Sequence, residues 1–132
     1  IYFIYIHGYL DSVGDFKLVI SEVSPPPHNT ICEGAVIATK GEEILANTVH
    51  AEPSTKVALC GSNHPQSYYL GLWYSFVGTG EHVQASTCFD ETYYNTQITV
   101  LEATCDDLQC IAGNNDGCGD QSFVTWEAEF DT

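Results

Sequence analysis

Arginine is absent from this chain and lysine occurs only at Lys17, Lys40 and Lys56, against eighteen carboxylates, so the net charge is −15. Such a surface has almost nothing with which to neutralise phosphates, which excludes nucleic acid and anionic membranes as partners. It suits cation-rich water, where salt screens the self-repulsion and divalent ions can bind. No run approaches the roughly 20 apolar residues that cross a bilayer, so no membrane insertion is expected. Helical periodicity with caps is missing from every window.

The signatures of catalysis are missing as well. His7, His28, His50, His64 and His82 are scattered singly, outside HExxH or any other two-histidine metal spacing, and no GxSxG elbow is present. Glu127 and Glu129 share one face of a strand, as alternating polar residues do on any half-exposed strand. No residue is therefore assigned a catalytic role, and no cofactor is required. No CxxC pair supports zinc, and no N-x-[ST] sequon is available for N-glycosylation. Methionine is absent, and Ile1 to Ile6 has neither a basic leader nor a small-residue cleavage site. The N-terminus is accordingly expected to be a cut or processed edge, with any signal removed or lying outside these residues.

What is present is β-forming and rich in cysteine. Six cysteines in 132 residues imply disulfides and an oxidising, extracellular compartment, and leave no free thiol if all are paired. Among the possible connectivities, Cys105–Cys110 is expected to close a local turn, Cys32–Cys60 to tie the first strands, and Cys88–Cys118 to pin adjacent loops. Residues 1–23 form two runs of β-branched and aromatic residues, Ile1 to Tyr9 and Phe16 to Glu22, around a turn-forming cluster at 10–15. Phe16, Leu18 and Ile20 alternate with Lys17, Val19 and Ser21, so one face is apolar and needs a sheet to bury it. Pro25, Pro26 and Pro27 make 24–30 a semi-rigid, extended spacer or an ordinary inter-strand loop.

From Ile31 onward, short strands are separated by Gly, Asn, Asp and Ser. Strands are expected at 35–39, 43–48, 56–60, 71–77, 82–87, 97–102, 108–112 and 123–130. Leu72, Tyr74 and Phe76 alternate with Trp73, Ser75 and Val77, which suggests a mid-sheet strand. The fold class that follows is all-β, a disulfide-stabilised antiparallel β-sandwich of jelly-roll type. The last strand ends at Asp131-Thr132, and reading from there into Ile1 gives strand, turn, strand. Residues 1–23 are therefore expected to be the closing hairpin of a body spanning 31–132, supplied either to its own chain or to a neighbouring copy. Tyr2, Ile4, Ile6, Phe16, Leu18 and Ile20 would cover the apolar face of that body.

In this frame, Cys32-Glu33-Gly34-Ala35, Cys60-Gly61, the run Gly71 to Gly80, Ser86-Thr87-Cys88, the run Gln109 to Asp116 and the run Ser122 to Trp126 resemble the bacterial pre-peptidase C-terminal (PPC) domain family in its cysteine-containing variants. The family's closing Tyr-rich strand, Gly turn and Gly-x-Phe-x-Leu strand occur at Tyr2 to Gly8 and Gly14 to Leu18, ahead of the body. The resemblance implies a secreted β-sandwich appended to enzymes or strung in extracellular arrays, in a family with calcium-binding, collagen-binding and polysaccharide-binding members, and it does not imply catalysis.

One constellation has ligand chemistry. The loop Gly113 to Asp120 offers Asn114, Asp116 and Asp120 close to Asp106 and Asp107 across a presumed hairpin, which reads as a calcium site or as an Asx-rich turn needing no metal. Two functions remain. The first is a structural subunit of a head-to-tail fibre or tandem array joined by strand complementation. The second is a secreted, calcium-assisted module that binds glycan or protein through Tyr68, Tyr69, Tyr93 and Tyr94.

Overall fold

Alternation along the chain settles the longest strand pair. The computed structural model describes residues 3–6, 10, 12–21, 25, 27–54 and 69–130. Strands β1 to β8 are Val36–Ile37, Pro53–Ser54, Tyr69–Leu70, Tyr74–Ser75, Glu81–Ser86, Ile98–Glu102, Gln109–Asn114 and Phe123–Ala128. In β8, Val124 and Ala128 are buried and Trp126 is half-buried, whereas Phe123, Thr125 and Glu127 face outward. The antiparallel register with β5 sets Val83 opposite Trp126 and Ala85 opposite Val124, so the apolar positions of both strands share one face.

Strands β6 and β7 form the second long antiparallel pair, and β7 lies against β8. The register shifts between Val100 and Leu101: Val100 is opposite Ala112 while Leu101 is opposite Cys110, which leaves Ile111 as the extra residue of a bulge. The fold is all-β with antiparallel sheets, and the one helical piece among the described residues is a single 3-10 turn at Cys32–Gly34. No helix among the described residues is long and apolar enough to cross a membrane.

The short strands depart from expectation. Of the run 71–77 only Tyr74–Ser75 is strand, and it pairs in parallel with Val36–Ile37 rather than lying mid-sheet. The cause is local. Asn29 uses its main-chain carbonyl and its amide Nδ2 to hold Trp73 N and Trp73 O at 2.8 and 2.9 Å, which anchors this segment to the start of the body. Asn29 and Thr30, at the end of the proline-rich spacer, are buried accordingly. The run 43–48 is exposed and carries no strand, and the run 56–60 lies outside the described residues.

A polar clasp joins the ends of β5 and β8. Ser122 is fully buried, and its Oγ donates to Thr96 O at 2.6 Å. Ser122 N donates to Thr87 Oγ1 at 3.0 Å, and Thr87 N returns to Ser122 O at 2.8 Å. Cys88–Cys118 closes over the same region with Cα atoms 6.1 Å apart and joins the two cysteines expected to pin adjacent loops.

The other pairings are corrected. Cys105 bonds Cys32, 73 residues away with Cα atoms 5.7 Å apart, so it closes no bridge to Cys110, and Cys32 is not available to Cys60. The geometry explains the change. Cys110 lies within β7, where its backbone is committed opposite Leu101, whereas Cys105 sits in the turn after β6 and reaches the 3-10 turn that carries Cys32. Cys110 is itself disulfide-bonded, and Cys60 lies outside the described residues.

Candidate assembly site

Among the described residues the buried apolar side chains are Ala51, Val124 and Ala128, two of them alanines, and the large side chains are half-buried or exposed.

Half-buried Leu72, Phe76, Ala85, Ile98, Leu101 and Trp126 border an open space between the segment around β4 and strands β5, β6 and β8. Residues of both strand faces border it, outward-facing Glu127 beside Trp126 among them, so it is not a single groove. Phe76 and Trp126 meet edge to face, with ring centroids 6.5 Å apart at 85°. Lys40 Nζ stands 5.9 Å from the Phe76 centroid, donates to Thr79 Oγ1 at 2.8 Å, and pairs with Glu81. The Lys40 ammonium, through its hydrogen bond first and its charge second, holds the Glu81 carboxyl below the usual carboxylate range.

The N-terminal segment also leaves apolar side chains exposed. Phe16 is 68%, Leu18 49% and Ile20 74% exposed, and Ile4 and Ile6 are exposed as well. None of the described residues before Cys32 borders the open space. The described residues of the expected hairpin carry no strand. Pro25 is exposed and Pro27 half-buried, whereas Tyr2 and Pro26 lie outside the described residues.

The expected calcium ligands are not gathered. Among the described residues, no three His, Cys, Asp or Glu side chains are placed to hold a metal ion. Asn114 Oδ1 instead accepts from Phe123 N at 3.3 Å, Asp107 Oδ1 accepts from Gln109 Nε2 at 3.0 Å, and Asp116 Oδ2 accepts from Asn115 Nδ2 at 3.3 Å. Asp106 and Asp120 are exposed. Within the loop, Asn114 and Asp116 thus lend their oxygens to amides of the chain.

Of the aromatics proposed for ligand binding, Tyr93 is 90% exposed and Tyr94 borders the open space. Tyr69 is in β3, and Tyr68 lies outside the described residues. Alternation in 71–77 assigns Leu72 and Phe76 to one face but does not say what covers that face, and the contribution of Trp126 emerges only from its register with Val83. Comparison with known proteins gives no match: no protein-family model, no curated protein and no solved structure is similar to this chain.

Proposed function

We propose that this chain is a structural subunit of an extracellular head-to-tail fibre, in which residues 1–23 of one copy complete the body of the next by strand addition. The observation that carries this is an alternating apolar segment with Phe16, Leu18 and Ile20 exposed, in a chain whose body also leaves large apolar side chains exposed, Ile37, Val77 and Phe123 among them. On this reading both halves of the joint belong to one chain. Such a heterologous contact generates a ring if the rotation closes and a filament if it does not.

Two observations support the setting. Disulfides form and persist in oxidising compartments, which fits an extracellular location. The resemblance of the body and of residues 2–18 to PPC domains, in permuted order, fits a closing hairpin detached from the body it completes. A second function, a glycan- or protein-binding module, is favoured by one feature: exposed Tyr93 sits on a loop braced by the Cys88–Cys118 bridge.

The test is chain termination. A synthetic peptide of residues 1–23, added in excess while the full-length protein assembles, should occupy acceptor bodies and shorten the polymers. Polymer length unchanged by the peptide would overturn the proposal.

A further inference from the structure

We infer that Asp116-Gly117 is a site of spontaneous covalent modification, where the Gly117 main-chain nitrogen attacks the Asp116 side chain and the link between the two residues becomes isoaspartyl. The site is independent of the fibre reading.

The sequence singles the pair out. An aspartate holds its γ-carbon where the nitrogen of the next residue closes a five-membered ring, and a side chain on that next residue obstructs the approach. Of the aspartates in this chain only Asp116 is followed by glycine, and no asparagine is.

The fold leaves both reacting groups open. The Asp116 side chain is exposed, and among the described residues its carboxylate is met by Asn115 Nδ2 alone, at 3.3 Å. A main-chain N–H committed to a hydrogen bond is withdrawn from such chemistry. That is the case beside the equally exposed Asp106, where Asp107 N donates to Thr104 O at 2.9 Å. Gly117 N, by contrast, donates to no acceptor among the described residues.

The steps balance with water as the sole co-reactant. Gly117 N bonds to Asp116 Cγ, its proton leaves with the carboxyl hydroxyl as water, and a succinimide results. Water then adds to one of the two imide carbonyls. Opening at the γ-carbonyl restores aspartate, whereas opening at the α-carbonyl leaves the main chain running through Cγ, one methylene longer.

Packing requires glycine at 117 and makes the longer chain disruptive. A Cβ there would lie 2.6 Å from Asn114 Oδ1 and 2.7 and 2.9 Å from Phe123 Cδ1 and N, so a larger residue would displace the main chain of β8. The added methylene falls between Asp116 and this confined residue. Cys118 beyond it is fixed by its bridge to Cys88 and by Gln121 O, so the strain falls on the bond from Phe123 N to Asn114 Oδ1 at the start of β8.

The experiment incubates the folded full-length protein in warm, neutral 18O-labelled water and follows each aspartate by peptide mapping with electron-transfer fragmentation, which distinguishes isoaspartyl from aspartyl. Every passage through the succinimide inserts one solvent oxygen, so label and isoaspartate are expected together at Asp116, with Asp106 unlabelled. Asp116→Glu should abolish both, because glutamate must close a six-membered ring, and the exposed position keeps the fold in place. No label at Asp116, equal label at Asp106, or label at Asp116 in urea only would overturn the inference. The isoaspartyl form, separated by chromatography, should melt below the starting protein. Identical melting of the two forms would overturn the packing argument.

Discussion

Ser122→Ala removes a hydroxyl from the most enclosed polar site in the described structure. Ser122 Oγ donates to Thr96 O at 2.6 Å, and Thr96 is itself buried, so the truncated side chain strands a main-chain acceptor where water does not reach it. Leaving such a group unsatisfied costs about 1–3 kcal/mol. The two main-chain bonds between Ser122 and Thr87 survive the change, which keeps the expected loss within that range and the fold intact. For a chain of this length the fall in Tm should be several degrees, a loss of 1 kcal/mol shifting Tm by about 2–8 °C across small and medium domains. Urea denaturation of Ser122→Ala beside the exposed Ser12→Ala gives the comparison, and the control should stay within about 0.5 kcal/mol of wild type. A Ser122→Ala loss no larger than that of the control would refute the clasp as a source of stability.

Three further outcomes follow from the same geometry. Removing the Cys32–Cys105 bridge, which closes 73 residues, should cost about 4 kcal/mol on the chain-entropy model. Removing Cys88–Cys118, which closes 30, should cost slightly less, and chemical denaturation of the two double-alanine variants checks both values. Calcium should raise Tm by screening the −15 charge and not through the 114–120 loop, so Asp116→Ala should show the same rise as wild type; a rise abolished by the substitution would establish a specific site. The depressed Glu81 pKa contributes stability that is present above the unfolded carboxylate value and is lost as pH falls through the folded one. Lys40→Ala should therefore lower Tm slightly at neutral pH and leave it unchanged at low pH, which flattens the acid limb, and the effect is small because the pair is exposed.

The long strands were legible because period-2 alternation and β-branched composition agree with burial on one face. Expected runs at 82–87, 97–102, 108–112 and 123–130 appear as Glu81–Ser86, Ile98–Glu102, Gln109–Asn114 and Phe123–Ala128. The parallel contact at Tyr74–Ser75 was not legible. It depends on Asn29 gripping Trp73 across 44 residues, and no local pattern announces a side-chain bond of that separation. Disulfide partners were hidden for the same reason: sequence proximity favoured Cys105–Cys110, whereas the turn carrying Cys105 approaches the 3-10 turn at Cys32. Composition does not decide the role of the acidic loop, since Asx side chains satisfy nearby amides as readily as a cation. The alternation of residues 16–20 was readable, but no local pattern says what covers their apolar side chains.

Sedimentation velocity of the purified full-length protein over a wide concentration series addresses the central claim most directly. On the proposed strand exchange each chain is both donor and acceptor, so a ladder of species growing without limit as concentration rises is the expected result, and fibres should be visible in micrographs of the heaviest fractions. A single 14.5 kDa species at every concentration would contradict it.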